Sequence, residues 1–463
     1  MRNLLILFTC LLSSSALMAQ DYTGSWHGKA DMGAMSLRIT FHVESIDNGL
    51  SATMDSPDQD AFDIPTDTTF VSDDKLVIEV RHLGLIFEGQ LHDDGEILIG
   101  NINQMGRGFP VEFSHEPIAE EKLNRPQEPK PPFDYVIREV TFENKEVEIN
   151  LAGTLTLPNG EGPFPAVVLI SGSGPQDRNE EILKHKPFWV IADHFANNGI
   201  AVLRYDDRGI AESEGDFSMA TSEDFAADAL AAIDFLKRQK KIDKNSTGLA
   251  GHSEGGLVAA MAAAQSESVN FVISLAGTGV SGAEVLITQI EDIALAEGTP
   301  ESAVEASLAE QRMIIDAIDE ADNYKEARKV LPSVLDTIMA RSSQEVPNAE
   351  SLSQQTIDQY GSPWMHFFIN YDPADSWSKI ENTPVLAING TNDLQVEAGQ
   401  NLKAIENSLK EAGNKDVTTM KIHGLNHLFQ QSSTGKISEY GKIEETFNVS
   451  VLKLMTEWIH DRF

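Results

Sequence analysis

Along residues 21 to 115 apolar and polar positions alternate with a period of two. Leu37, Ile39, Phe41 and Val43 carry one such stripe and Leu76, Ile78 and Val80 another. A strand sends successive side chains to opposite faces, so the spacing predicts half-buried strands. Turn-forming residues fall between the runs, at Asp47-Asn48-Gly49 and at Asp93-Asp94-Gly95, as hairpins require. Residues 21–116 are therefore expected to form a small all-β barrel or sandwich domain. Beyond residue 132 the rhythm changes. Short apolar runs ending in ISGSG, LRYDDRG, LAGHS, SLAG and AINGTND alternate with helical periodicity near 187–198, 221–239 and 255–266. Thr221-Ser222-Glu223-Asp224 reads as the capped start of the second helix. Such alternation predicts an α/β unit over 133–463 with a mostly parallel, doubly wound sheet.

Two stretches break these patterns. Residues 117–132, PIAEEKLNRPQEPKPP, are dense in proline and charge, which favours an extended, semi-rigid linker over a packed element. Residues 281–372 are largely helical in pattern, rich in alanine and glutamate, and end in the aromatic group Trp364, Phe367, Phe368 and Tyr371. Inserted after the SLAG strand, this segment is expected to sit over the C-terminal sheet edge, where such folds bind ligands, as a helical cap.

The first twenty residues have the layout of a Sec-type signal peptide: Arg2, an apolar run from Leu4 to Leu12, then small residues to Ala19. They predict a secreted or periplasmic protein. The only cysteine, Cys10, lies inside this leader, so the mature chain is expected to have no disulfide, thiolate ligand or cysteine nucleophile. Apolar residues continue beyond Cys10, which argues against a lipoprotein cleavage box. No later stretch has the length of apolar residues a spanning helix needs. Acidic residues number 72 against 35 basic ones, for a formal charge of −37. A surface of that sign repels nucleic acid and anionic membranes. Metal and cofactor motifs are lacking: there is no H-E-x-x-H, no cysteine pair and no P-loop lysine.

The chemistry concentrates at Gly251-His252-Ser253-Glu254-Gly255, a G-x-S-x-G placed between an apolar strand and a helix. That context is what the nucleophile turn of α/β-hydrolases requires: a sharp bend that exposes the serine, with glycines permitting close backbone approach. Ser253 needs a base and an orienting acid to become nucleophilic. In this fold the acid follows the nucleophile and the histidine comes last. Asp393, just past the run Pro384 to Gly390, is the expected acid, with Asp372 and Asp375 as competitors; His427 in Gly424-Leu425-Asn426-His427 is the expected base, with His423 as its rival. His252 is expected to point back toward the sheet and to take no part in proton transfer. The oxyanion donors are expected to be the amide of Glu254 and an amide of the loop Ser171 to Pro175, with Ser173 chosen and Gly172 a near alternative. Gln176 to Asn179 are expected to hold the loop through ion pairing, with orientation of a substrate carboxylate as the alternative, and Arg204 to Gly209 to brace neighbouring loops.

At these positions the chain resembles α/β-hydrolase carboxylesterases of the EstD type, within the broader serine aminopeptidase-like hydrolases. The likeness spans 132–463 and rests on SGSGPQDRN at 171–179, HKPF at 185–188, RYDDRG at 204–209, GHSEGG at 251–256, NGTNDLQV from Asn389 and GLNHLFQ from Gly424. It implies Ser253, Asp393 and His427 as the triad, no cofactor, and hydrolysis of small-molecule short-chain acyl esters. The chain departs from the family pattern at Ala211-Glu212, where glycine is common, which touches only the adjoining loop. Gly24-Ser25-Trp26-His27-Gly28 loosely resembles the opening of lipocalin-like barrels. Two other readings stand beside the esterase: a peptidase or acyl-thioester hydrolase using the same triad, and a glycan- or lipid-binding protein acting through the N-terminal domain.

Overall fold

The computed structural model describes residues 21–31, 36–59, 61–92, 95–104, 107–119, 123–341 and 349–463. The signal-peptide expectation, Cys10 and the Asp93-Asp94 turn lie outside the described residues. The chain divides into two compact units, the first reaching into the 117–132 stretch and the second running from there to Phe463.

The first unit is built from nine strands: β1 (Gly24–Asp31), β2 (Ser36–Ile46), β3 (Gly49–Ser56), β4 (Ala61–Pro65), β5 (Thr68–Ser72), β6 (Lys75–Val80), β7 (Leu85–His92), β8 (Ile97–Gln104) and β9 (Arg107–Ser114). They form one antiparallel sheet in the order β4-β3-β2-β1-β9-β8-β7-β6-β5. The two edge strands, β4 and β5, are consecutive in the chain and only Thr66 and Asp67 separate them. Two residues cannot span an open nine-stranded sheet, so the sheet curls until its edges meet. Of the barrel and the sandwich, the chain takes the barrel-like form. The predicted stripes face inward. Phe41, Phe87 and Phe113 are buried with ring centroids 5.1 to 5.3 Å apart, and Trp26 is fully buried with its Nε1–H donating to the Tyr22 carbonyl at 2.8 Å. This meets the requirement that a buried indole N–H find an acceptor.

The second unit has an eight-stranded sheet of β10 (Tyr135–Asn144), β11 (Ile149–Pro158), β12 (Phe164–Ile170), β13 (Ala201–Tyr205), β14 (Ile242–His252), β15 (Phe271–Leu275), β16 (Val385–Gly390) and β17 (Val417–Ile422). Its order is β10-β11-β13-β12-β14-β15-β16-β17. The two N-terminal strands pair antiparallel and the other six run parallel. Helices α1 (Pro187–Asn197), α2 (Ser222–Lys237) and α3 (Glu254–Gln265) begin within one residue of their predicted starts. In α2 the Asp224 carboxylate accepts the Thr221 N–H at 2.9 Å, the reciprocal half of the expected capping box.

Both faces of this sheet are covered, and the alternation along β12 shows how. Ala166, Val168 and Ile170 join a core with α2 and α3, whereas Val167 and Leu169 join a second core with α1 and the C-terminal helix. Between β15 and β16 the described residues make six helices: α4 (Gly282–Ala296), α5 (Glu301–Asp319), α6 (Tyr324–Arg341), α7 (Ala349–Tyr360), α8 (Pro363–Asn370) and α9 (Ala374–Trp377). Among them Ile314, Ile318, Leu331 and Met365 pack into a core of their own. The chain closes with α10 (Ala398–Glu411), α11 (Ile437–Tyr440) and α12 (Val449–His460).

The stretch expected as a free connector is packed in its second half. Arg125 donates to the carbonyls of Leu183, Lys184, Gly441 and Ile443, and the Gln127 side-chain oxygen accepts the Thr446 and Phe447 amides. Proline density keeps this segment extended, and an extended backbone presents its polar side chains to a neighbouring surface.

Candidate active site

The site grows from the end of β14. Ser253 follows the strand with φ 54° and ψ −122°, a conformation that costs a non-glycine residue about 1–3 kcal/mol and persists only where its surroundings over-determine it. Here they do. The Ser253 N–H donates to the Leu275 carbonyl at 2.8 Å and its carbonyl accepts the Gly256 N–H at 2.9 Å. The flanking glycines leave no alternative: a Cβ on Gly251 would fall 1.9 Å from the Gly255 oxygen, and one on Gly255 would fall 2.3 Å from the Ile170 oxygen. Ser253 caps α3, so the first amides of that helix and its dipole point toward the serine.

Asp393 and His427 come together although 34 positions separate them: His427 Nδ1 lies 2.8 Å from Asp393 Oδ2, and both side chains are buried. The other carboxylate oxygen accepts the N–H groups of Gln395 at 2.8 Å and Val396 at 2.9 Å. Those bonds fill the acceptor and fix its orientation. The competitors Asp372 and Asp375 are exposed near α9, and His423 does not take the place beside Asp393. The loop that presents His427 is organised by buried Asn426, whose side-chain oxygen accepts from the Leu428 and Gln430 amides. Ser253 Oγ makes no hydrogen bond to His427 among the described residues. The connection between nucleophile turn and base loop runs through His252: its Nε2 lies 2.9 Å from the His427 carbonyl, and the two rings are 4.7 Å apart.

Of the expected oxyanion donors, the Glu254 amide opens α3 and has no acceptor among the described residues. On the facing loop, a Cβ on Gly172 would meet Ser253 Cβ at 3.1 Å, so this backbone runs beside the serine. The Gly172 N–H itself donates to Glu180 Oε1 at 2.8 Å. Ser173, the next residue, is exposed to solvent.

The bracing expected of the flanking motifs is present. Arg178 binds Asp206 through Nε at 2.9 Å and Nη2 at 2.5 Å, and also reaches Glu139 and Glu212. Asp207 takes the Ser171 hydroxyl at 2.7 Å and the Gln176 N–H at 3.0 Å. Burial pushes its carboxyl up to about 8 in spite of those donors. Arg208 holds Asp228 and Asp224 from the same loop.

Three features escaped the sequence reading. Glu180 lies buried against His252 Nδ1 at 2.9 Å. The Glu254 side chain, whose carboxyl burial raises above the ordinary range, accepts from Ser222 at 2.6 Å and from Trp364 Nε1 of α8 at 2.8 Å. His185, driven down to about 4 by burial and by the neighbouring Arg125 charge, is a neutral brace between Thr446 and the Tyr440 carbonyl. Only the HKPF run hinted at the last. Among the described residues no group of three or more His, Cys, Asp or Glu is arranged to hold a metal ion, and no helix is long and apolar enough to cross a membrane.

The sheet order, the serine turn at its centre and the acid–histidine pair beyond β16 and β17 define an α/β-hydrolase. More specifically, the chain belongs to the X-Pro dipeptidyl-peptidase (S15) family, whose profile matches residues 148–428. It is 30% identical over 299 residues to esterase EstD of Thermotoga maritima, covering 64% of this chain and 62% of that protein. A shorter match, 34% identical over 128 residues, joins it to the thiohydrolase aneE of Aspergillus aculeatus, covering 27% of this chain and 37% of the relative. The chain thus spans about six-tenths of the length of the EstD relative. Among solved structures it is similar to an esterase from Pyrococcus furiosus, with a TM-score of 0.44 and 14% identity over 74% of this chain and 99% of that one.

Proposed function

We propose that the protein is a serine carboxylesterase that cleaves short-chain acyl esters through an acyl-enzyme. In this reading Ser253 attacks the ester carbonyl, His427 takes its proton and returns it to the leaving alcohol, and Asp393 holds the imidazole with Nε2 free to accept. The amides of Glu254 and Ser173 receive the charge that develops on the carbonyl oxygen. A water then repeats the sequence to release the acid. The observation that carries the reading is the buried 2.8 Å contact between His427 Nδ1 and Asp393 Oδ2, joined by His252 to a strained serine at a helix N-terminus. An unformed serine–histidine bond accords with it, because such bonds are commonly long before substrate arrives. The helices α4 to α9 serve as a cap, with Trp364 meeting Glu254 beside the nucleophile, and residues 1–20 serve as an export signal.

The test is Ser253→Ala assayed on p-nitrophenyl butyrate, beside fluorophosphonate labelling of the unaltered enzyme with peptide mapping. Turnover in the variant, or label on another residue, would refute the assignment. The family's description favours one second reading, a peptidase with the same triad. Ala-Pro-p-nitroanilide cleaved faster than butyrate ester would establish it instead.

A further inference from the structure

Behind the proposed triad lies a second acid–histidine pair whose connections differ in kind. Glu180 and His252 are both buried, with relative exposures of 1% and 5%. Glu180 Oε1 accepts the Gly172 N–H at 2.8 Å and lies 2.9 Å from His252 Nδ1, while His252 Nε2 lies 2.9 Å from the His427 carbonyl oxygen. A carbonyl can only accept, so Nε2 carries a proton. Nδ1 faces the carboxylate, an arrangement that favours a second proton on the ring. Burial alone would lower the His252 imidazole, but the Glu180 charge outweighs it and the histidine lies above its ordinary value.

The sheet cannot set the relations this pair sets. The ladder between β12 and β14 ends at Ile170 and Gly251, short of both Gly172 and His252. The base loop follows β17, three strands from β14 in the sheet. Beyond the strand ends, the oxyanion loop, the nucleophile turn and the base loop are fastened to one another through this pair. Glu180 is itself fixed as a post: its backbone is held at φ 51°, its N–H donates to the Asp177 carbonyl at 2.9 Å, and neighbouring Arg178 is clamped to Asp206.

We infer that Glu180 and His252 form a positioning dyad for acyl transfer, holding the Gly172-Ser173 backbone and the His427 loop in register with Ser253 without touching substrate. The inference rests on the esterase reading above. Its chemistry predicts what Glu180→Gln must lose. An amide oxygen facing Gly172 leaves no charge for His252, whereas an amide NH2 facing His252 abandons the Gly172 N–H; one tether breaks either way.

The experiment compares wild type, Glu180→Gln, His252→Gln and the double variant, each normalised to competent sites by fluorophosphonate titration. Three readings are taken: kcat and KM for p-nitrophenyl butyrate, inhibition by butaneboronic acid, and Tm. We expect kcat to fall about 10- to 100-fold with KM within about twofold, boronate affinity to fall by a similar factor, and the double variant to lose no more than the worse single one. Boronate binding draws on the aligned oxyanion donors, so a purely architectural pair would lower Tm while leaving kcat per site and boronate affinity unchanged. That result overturns the inference, as does additive loss in the double variant. If Glu180→Gln fails to fold, His252→Gln decides by the same readings. Ser253→Ala separates the levels: an inactive Ser253→Ala beside a fully active Glu180→Gln defeats the dyad alone, and an active Ser253→Ala defeats the reading beneath it.

Discussion

Asp393→Asn is the sharpest perturbation of the proposed triad, because the structure dictates which way the new amide must face. Oδ1 of Asp393 accepts two backbone N–H groups, from Gln395 and Val396, and Oδ2 faces His427 Nδ1. Turning the amide NH2 toward the backbone would strand two buried donors at about 1–3 kcal/mol each. Turning its oxygen there keeps both bonds and costs only a change of tautomer, so this orientation wins. The NH2 then donates to Nδ1, which must present its lone pair, and the ring proton moves to Nε2. A histidine in that state cannot accept the serine proton. The expected loss in kcat is about 10⁴-fold, or about 5.4 kcal/mol at 1.36 kcal/mol per decade. KM should stay within a few-fold, since Asp393 touches no substrate, and the fold should survive because volume and backbone bonds are kept. Steady-state hydrolysis of p-nitrophenyl butyrate, with Tm as the control for folding, measures all three. A kcat within about tenfold of wild type would refute the reasoning, and so would a loss confined to KM.

Gly251→Ala should destabilise by about 3 kcal/mol or more, because overpacking against backbone cannot be relieved by a rotamer change and the new Cβ would lie 1.9 Å from the Gly255 oxygen; a Tm equal to wild type would contradict the described turn. Trp364→Phe keeps the stacked contact with Phe368, 5.0 Å between centroids, but removes the donor to Glu254. It should change the ratio of short- to long-chain ester turnover at nearly unchanged Tm, and an unaltered profile would count against α8 as part of the cap. Asp207, held near 8 when folded against about 3.9 unfolded, stabilises the protein fully below about pH 4 and loses that contribution as pH rises through about 8. An asparagine cannot ionise, so Asp207→Asn should gain on wild type by more than about 2 kcal/mol between pH 5 and pH 8.5, each unit of offset being about 1.4 kcal/mol. Urea denaturation at the two pH values measures this, and a constant difference would argue against a neutral buried carboxyl.

The alternation Leu37-Ile39-Phe41-Val43 and the runs ending at Ile170, Tyr205 and Leu275 could be read directly, because an element's facing depends on spacing within a few residues. The same holds for the capped start of α2 and for the serine turn, whose Gly251 answers a contact made within the G-x-S-x-G itself. Asp393 and His427 were chosen over Asp372, Asp375 and His423 by their order after particular strands, which is topology expressed in one dimension. The barrel was not separable from the sandwich, since the two differ only in whether β4 and β5 meet.

Sequence by itself determined the strands, the helices, the hydrolase class of the core and the identity of the residues proposed to act. Tertiary structure alone decided that Glu180 meets both Gly172 and His252, that Trp364 reaches Glu254 from 110 positions away, and that Arg125 of the proline-rich stretch binds the carbonyls of Leu183, Lys184, Gly441 and Ile443. Local pattern reports which face an element buries. It carries no record of which distant polar group will satisfy a buried charge, because that partner is chosen by desolvation only once the cores have packed.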